Sequence, residues 1–141
     1  MFSFVVNRLS FLKVIPLAAI FFDCLIKLWM LATNPKVLDW IDELERMWLQ
    51  QNNSSTRIHR YGGLQFNCNN KEYAHVHSNG LLDMLLSKSL KKQLMREGRV
   101  QDHQVFENTG WISFYIKNED DFHYAISLLE LNLKRSVSFK K

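Results

Sequence analysis

A histidine pair followed by a tight turn constrains the fold of this chain more than any other stretch. His75 and His77 are two positions apart, Asn79-Gly80 comes next, and Asp83 follows soon after. Alternate side chains of a strand point to the same face, so the two histidines should project side by side. Asn-Gly favours a sharp reversal because both residues tolerate positive φ. We expect the next strand to run back antiparallel and bring Asp83 close to the histidines.

Short alternating runs joined by turn signals predict more strands around this hairpin. The predicted strands are Thr56–Tyr61, Leu64–Cys68, Glu72–His77, Leu81–Leu86 and Trp111–Ile116. Helices are predicted to start near Pro35, at Ser87 or Ser89, and at Asn118, which are favourable residues for a helix start. The fold class is therefore α+β: a small antiparallel sheet with helices packed on it, preceded by a hydrophobic helical N-terminal arm.

Composition divides the chain into three parts. Residues 1–33 form the arm, residues 34–133 form the α+β domain, and residues 134–141 form a basic tail. A chain of 141 residues with 47% hydrophobic residues can build one core. We therefore expect a single folded body with two appended segments.

The arm is too apolar for an ordinary surface helix. A signal peptide is disfavoured because no small-residue cleavage site follows it. A spanning helix is disfavoured because a central Asp costs about 2.5–3.5 kcal/mol on insertion scales. Asp23 and Lys27 are four positions apart, so they share a helical face that we expect to meet water. The arm is thus predicted to dock on the domain or to lie in a membrane interface. Membrane contact or self-association is favoured over packing in the core, and the body from Asn34 onward is expected to fold without the arm.

Charge and cysteine content argue against two classes of function. The net charge of +4 is modest and the basic residues are scattered, unlike the basic stripe of a nucleic-acid-binding protein. The two cysteines, Cys24 and Cys68, have no paired spacing that suggests a zinc finger or a disulfide framework. Free thiols favour a reducing compartment, so we predict a cytoplasmic protein with membrane association through the arm.

The candidate site combines His75, His77, Asp83 and His103. Histidine suits abstraction of a phenolic or enolic proton because its unperturbed pKa is about 6.5. A carboxylate such as Asp83 can orient the imidazole and stabilise its charged form. A metal site of His75, His77 and His103 is one alternative, since imidazoles bind zinc, copper and iron. Histidines that are merely hydrogen-bonded within the sheet are the other.

The remaining polar and aromatic residues are weaker candidates for a functional role. His59 and His123 are interpreted as solvated surface residues. Ser78 and Ser113 lack the surroundings of a nucleophile elbow, which argues against a serine hydrolase. Trp111 either stacks on a flat ligand or packs in the core.

A longer pattern runs through the body of the chain, from about Ile58 to Leu131. Its residues are Gly63, Phe66, His75-Val76-His77, Gly80, Asp83, Gly98-Arg99, His103, Gly110-Trp111-Ile112-Ser113-Phe114, Glu119-Asp120, Ala125 and Leu128-Leu129. In order and spacing this pattern resembles the luciferase domain family, which is named for the luciferase of luminous fungi. The fungal enzyme adds dioxygen to a hydroxylated pyrone without a metal or an organic cofactor, and it is membrane-associated.

The resemblance implies a small-molecule enzyme or binding domain whose ligand is planar, acidic and oxygenated, with no cofactor and no metal. The predicted catalytic residues are His75, His77, Asp83 and His103, and the predicted ligand-binding residues are Asn79, Gly80 and Trp111. A non-enzymatic, membrane-associated interaction module is the alternative, because the chain carries no complete catalytic signature. A shared fold does not by itself transfer a substrate.

Overall fold

The computed structural model describes residues 16–138, which form four helices and one six-stranded antiparallel sheet. The helices are α1 (Pro16–Thr33), α2 (Pro35–Leu49), α3 (Lys88–Arg96) and α4 (Glu119–Ser138). The strands are β1 (Ser54–Ile58), β2 (Leu64–Cys68), β3 (Lys71–Val76), β4 (Leu81–Leu85), β5 (Gln101–Asp102) and β6 (Trp111–Tyr115). Their order in the sheet is β1-β2-β3-β4-β6-β5.

The predicted α+β architecture is confirmed, and the two-residue β5 is the strand that the sequence patterns missed. Parts of the predicted arm and tail, residues 1–15 and 139–141, lie outside the described residues.

The helices begin where their capping residues predict. Pro35 occupies the first turn of α2. The Ser87 hydroxyl accepts the Leu90 N–H at 3.3 Å to start α3, and Asn118 Oδ1 accepts the Asp121 N–H at 2.9 Å to start α4. Each cap satisfies a backbone donor that the first helical turn leaves unpaired.

One face of the sheet forms the hydrophobic core under α2 and α4. Phe66, Ala74, Met84 and Ile112 occupy paired positions on β2, β3, β4 and β6, and all four are fully buried. The Trp48 ring of α2 lies 5.6 Å from the Phe66 ring, centroid to centroid, in an edge-to-face arrangement. The other face of the sheet carries a row of polar side chains, flanked by partly exposed apolar residues such as Leu85 and Tyr115.

A bulge in β3 changes which side chains reach that polar face. Phe66 pairs with Ala74, but the next β2 residue, Asn67, pairs with Glu72, so Tyr73 is the extra residue. With strict alternation, Tyr73 would share the polar face with His75, and Glu72 would lie on the apolar face. The bulge instead brings the Glu72 carboxylate to His75, as bulges near functional sites often do.

Helix α1 is anchored to the body through a buried acid, although the helical face that carries this acid was predicted to be exposed to solvent. Asp23 is 7% exposed; its Oδ1 accepts the Ser78 N–H at 3.1 Å and its Oδ2 accepts the Ser78 hydroxyl at 2.7 Å. Gly62 permits this approach, because a Cβ there would lie 2.5 Å from the Asp23 Cβ. The prediction that Asp23 faces water is therefore wrong, whereas Lys27 is exposed as predicted. Whether the body folds without the arm stays a prediction.

Length and apolarity determine whether a described helix can span a membrane. None of them is long and apolar enough to cross a bilayer alone. Helices α1 and α2 meet the length and composition criterion only as a pair, and that pair is bent by 118°.

Candidate functional site

A row of polar side chains crosses the face of the sheet opposite the core. Its members are Gln65 of β2, His75 of β3, Asp83 of β4 and Ser113 of β6, each paired with the next in register. Directly opposed residues of an antiparallel pair have Cβ atoms about 4.5–5.5 Å apart, so their side chains interact. The predicted approach of Asp83 to the histidines is confirmed, because His75 and Asp83 are register partners.

One oxygen of Asp83 is the point on which the predicted catalytic residues converge. Asp83 Oδ2 lies 3.3 Å from Nε2 of His75, 3.9 Å from Nε2 of His77 and 3.7 Å from Nε2 of His103. The other oxygen, Oδ1, accepts the Ser113 hydroxyl at 2.5 Å. Burial acts to raise the pKa of Asp83, but hydrogen bonds from His75 and Ser113 outweigh it and lower that pKa. Asp83 is therefore a buried carboxylate anion.

His75 lies between two carboxylates. Its Nδ1 is 2.7 Å from Glu72 Oε1, and its Nε2 faces Asp83. Burial alone would lower the pKa of His75, yet the hydrogen bonds to Asp83 and Glu72 prevail and raise it. The arrangement consequently favours an imidazolium ion, with both N–H groups paired to carboxylates.

His77 is the most accessible of the three predicted histidines. Its side chain is 22% exposed, against 7% for His75 and 11% for His103. Its Nδ1 lies 3.5 Å from Oδ1 of Asp23, the acid that α1 contributes. His77 therefore presents its ring at the solvent side of the cluster, while the Asp23 carboxylate faces Nδ1.

His103 is held in one neutral tautomer. Its Nδ1 accepts the N–H groups of Val105 at 3.1 Å and Phe106 at 3.2 Å, so the ring proton of neutral His103 is on Nε2, toward Asp83. Burial lowers the pKa of His103, and the Asp83 charge does not reverse that shift. His103 thus completes the cluster as a neutral donor that faces Asp83.

His59 belongs to the cluster, which corrects its interpretation as a solvated surface residue. It is buried, and its ring stacks on His75 with centroids 3.8 Å apart and planes 7° from parallel. Its Nδ1 accepts the Tyr61 N–H at 3.3 Å, and its Nε2 lies 3.5 Å from Glu72 Oε1. Burial, assisted by the positive charge of His75, lowers the pKa of His59 to about 4. His59 is therefore a neutral ring stacked on a cation, whereas His123 is exposed as predicted.

Sequence reasoning missed three members of the site: Asp23, His59 and Glu72. A signal existed for His59, because Gly62 and Gly63 favour a turn between His59 and β2, the strand that pairs with β3. Neither the bulge that re-aims Glu72 nor the docking of α1 leaves a comparable local pattern.

The three predicted ligand-binding residues lie in different settings. Trp111 is half-buried, and its ring centroid is 5.5 Å from His75 and 6.0 Å from His103. Asn79 Oδ1 accepts the Leu81 N–H at 3.1 Å, and a Cβ on Gly80 would lie 2.6 Å from the Ile116 carbonyl oxygen. Trp111 therefore borders the histidines, whereas the contacts of Asn79 and Gly80 shape the turn. Their part in ligand binding stays a prediction.

Two groups of described side chains place potential metal-binding atoms close together: His59, Glu72 and His75, and His75, His77 and Asp83. The first group fits an ion poorly. An imidazole binds a metal through a lone pair in the plane of its ring, and the parallel stack of His59 on His75 prevents one ion from lying in both planes. The rings of His75 and His77 are perpendicular, at 90°, so the second group has no such obstacle.

Comparisons with known proteins agree with the resemblance read from the sequence. The Luciferase domain family model matches residues 70–132, less than half of the chain. No curated protein matches the chain, and no solved structure does. The family match confirms the predicted resemblance and supports a luciferase-like domain over residues 70–132. The matched segment contains His75, His77, Asp83 and His103, but neither Asp23 nor His59.

Proposed function

We propose that the polar face of the sheet binds a small, planar, oxygenated molecule with an acidic hydroxyl group, and that the ionised molecule reacts with dioxygen. The observation that carries this proposal is the setting of His77. It is the accessible imidazole of the cluster, with Asp23 facing one nitrogen and the His75 ring perpendicular to its own, 5.4 Å away between centroids.

The chemistry begins with a proton transfer from the ligand hydroxyl to Nε2 of His77. Asp23 holds the Nδ1–H of that ring, as the acid does in a catalytic triad, and stabilises the imidazolium that forms. The ligand oxygen becomes negative beside the His75 cation. Dioxygen then forms a bond to a ring carbon of the electron-rich anion, and the peroxide anion takes the proton back from His77. The resemblance to the fungal enzyme supports this sequence without a metal or an organic cofactor.

Two aromatic residues supply flat surface next to these groups. Trp111 lies beside His75 and His103, and Phe106 packs on His103 with ring centroids 5.0 Å apart. Phe106 is largely exposed, so a planar molecule can meet its face without displacing the core. Stacking on such rings favours flat ligands over branched ones.

The test uses 4-hydroxy-2-pyrone and catechol as probes, with the purified full chain. We expect His77→Gln to lower probe-dependent dioxygen consumption by about 10²–10⁴-fold, the usual contribution of a general base. His123→Gln, a change of the exposed histidine on α4, is the matched control and should leave the rate unchanged. A well-folded His75→Gln/His77→Gln double variant with normal binding and turnover would refute the catalytic role.

A second candidate function, a membrane-associated interaction module, is favoured by the exposed apolar surface of α1. Leu17 is 78% exposed, Phe21 65%, Leu28 64% and Trp29 60%. Surface of this kind is characteristic of helices that lie at a lipid interface. We propose that this surface contacts a lipid bilayer while Asp23 holds the helix to the body.

Co-sedimentation with phosphatidylcholine/phosphatidylglycerol liposomes tests the lipid contact. We expect the full chain to sediment with the liposomes and the Phe21→Ser/Leu28→Ser variant to stay in the supernatant. Ile58→Ser is the control, since Ile58 is an apolar residue 69% exposed on β1 and not on α1. If the wild-type chain does not sediment with liposomes but dimerises as its concentration rises, the result would contradict lipid contact and indicate self-association.

A further inference from the structure

The imidazoles of His75 and His77 are oriented alike. Nε2 of each ring faces Asp83 Oδ2, at 3.3 Å and 3.9 Å. Nδ1 of each ring faces a different carboxylate, Glu72 at 2.7 Å and Asp23 at 3.5 Å. Both rings therefore direct Nε2 toward Asp83 and Nδ1 toward an outer carboxylate.

We propose that Nε2 of His75, Nε2 of His77 and Oδ2 of Asp83 bind one divalent transition-metal ion. Metal–nitrogen and metal–oxygen bonds of about 2.0–2.2 Å place neighbouring ligand atoms of a tetrahedral ion about 3.3–3.5 Å apart. The Asp83 Oδ2–His75 Nε2 separation of 3.3 Å matches that spacing, and the 3.9 Å to His77 needs a closure of about half an ångström. Both separations are longer than the usual N–H···O length of about 2.7–3.2 Å, and one ligand atom from each of the three residues lies within 4.8 Å of the others.

The ring planes allow one ion to meet both imidazoles. The planes of His75 and His77 are at 90°, so they intersect along a line on which a shared ion can lie. His103 is not a ligand in this arrangement, because its Nδ1 accepts two backbone N–H groups and its Nε2 keeps the proton. The ligand set is therefore two histidines and one carboxylate, which leaves coordination positions open for a small molecule.

The outer carboxylates support this assignment. Histidine ligands commonly donate their second N–H to a carboxylate, which fixes the tautomer and turns the other nitrogen toward the metal. Glu72 does this for His75, and Asp23 is positioned to do it for His77. The Ser113 hydroxyl binds the other oxygen of Asp83 and leaves Oδ2 for the ion. Imidazole and carboxylate together favour Zn²⁺, Fe²⁺ or Co²⁺ over Mg²⁺ and Ca²⁺, which prefer oxygen ligands alone.

This inference goes beyond the proposed function and competes with one of its steps. A metal ion and a proton compete for Nε2 of His75 and for Nε2 of His77, so metal binding displaces the proton that Nε2 of His75 directs toward Asp83 in the metal-free protein. Metal-free protein would ionise the ligand hydroxyl by proton transfer to His77, whereas metal-loaded protein would ionise it by coordination to the ion. Metal binding can therefore be measured without reference to any substrate.

The experiment is calorimetric titration of the untagged, EDTA-treated full chain with Zn²⁺ and with Co²⁺, whose absorption spectrum reports coordination. We expect one ion per chain. His77→Ala should weaken binding at least 100-fold, and Asp23→Asn and Glu72→Gln should each weaken it about 10–100-fold, as loss of an outer partner typically does. His123→Ala is the matched control for nonspecific histidine binding and should leave affinity unchanged.

The outcomes separate the two proposals. No stoichiometric binding by the wild type, or equal binding by the folded His77→Ala variant, would overturn the metal site. Stoichiometric binding abolished by His77→Ala supports the metal site even if no pyrone or catechol is consumed, a result that would count against the proposed function alone. Probe turnover by EDTA-treated protein that binds no metal would support the proposed function and overturn the metal site.

Discussion

The two faces of the sheet use the same strands and both contain buried side chains, yet different forces hold those side chains. On one face Ala74, Met84 and Ile112 are fully buried against apolar side chains. On the other, the neighbouring residues His75 and Asp83 are 5% and 3% exposed, and they are satisfied by charge and hydrogen bonds. Burial alone therefore does not separate core from site. The number of titratable partners distinguishes the site from the core, because a buried group stays charged only where it is paired.

This difference has a functional consequence. Packing energy is nondirectional, so an apolar face tolerates exchange among side chains of similar volume. The polar face depends on individual nitrogen and oxygen atoms, and each substitution there leaves a named partner unsatisfied. The following predictions test the two faces at neighbouring positions.

The largest effect is expected at Met84, whose side chain is fully buried on the apolar face. Met84→Ala should lower the free energy of unfolding by about 2–5 kcal/mol, the range for core truncations that leave a cavity. Urea denaturation measures the loss. Leu85→Ala, one position along β4 and 40% exposed, is the control and should change stability much less. Equal effects at both positions would mean that the two faces are not distinguished by packing.

A smaller loss is expected at Asp83, on the polar face beside Met84. Asp83→Ala leaves the Ser113 hydroxyl and an N–H of His75 without their acceptor, which should cost about 1–3 kcal/mol. Urea denaturation in the presence of EDTA isolates this effect from metal binding. A variant as stable as the wild type would show that the carboxylate is retained for function alone.

The pH dependence of stability should also distinguish the faces, since only the polar face titrates. The pKa of His59 falls from 6.5 to about 4 in the folded chain, so the unfolded chain binds more protons in that window and stability rises with pH. The pKa of His75 is raised above 6.5, so its stabilising contribution is complete below 6.5 and is lost as pH rises through the folded value. We therefore predict maximal stability near pH 6.5 in EDTA-treated protein.

Thermal unfolding between pH 4 and pH 9 checks this prediction. His59→Phe keeps a flat ring on His75 but removes one titration, so the rise in stability up to pH 6.5 should become shallower. The decline above pH 6.5 should remain. A variant with the pH profile of the wild type would assign the titration to other groups.

The smallest effect is expected at Trp48, whose side chain links helix α2 to strand β2. Its Nε1–H donates to the Asn67 carbonyl at 2.9 Å, while Asn67 Oδ1 accepts from Gln65 at 2.6 Å. Trp48→Phe keeps an aromatic ring and should cost about 0.5–1.5 kcal/mol for the lost hydrogen bond. Chemical denaturation of this variant, with Leu49→Ala at an exposed neighbouring position as the control, measures that cost.

The sequence by itself determined the local elements. Alternation and turn chemistry predicted β2, β3, β4 and β6, and the antiparallel return after Asn79-Gly80 placed Asp83 opposite His75, as the register confirms. The amphipathic stripe of α2 was predictable because Val37, Leu44 and Trp48 recur at helical spacing and are buried. These features follow from neighbours along the chain, whose geometry the side-chain period dictates.

Tertiary structure decided which charges complete the site. Glu72 reaches His75 only because a bulge breaks the alternation of β3, and a period-two pattern cannot indicate a bulge. Asp23 lies 55 positions from Ser78 in sequence, and the same acid on an isolated helix would be expected to face water. His59 is buried where its ring stacks on the imidazolium of His75, 16 positions along the chain. Asp23 and His59 meet partners that are distant along the chain, about which local sequence patterns carry no information. Glu72 lies only three positions from His75, but the bulge that brings them together depends on the pairing of β3 with β2.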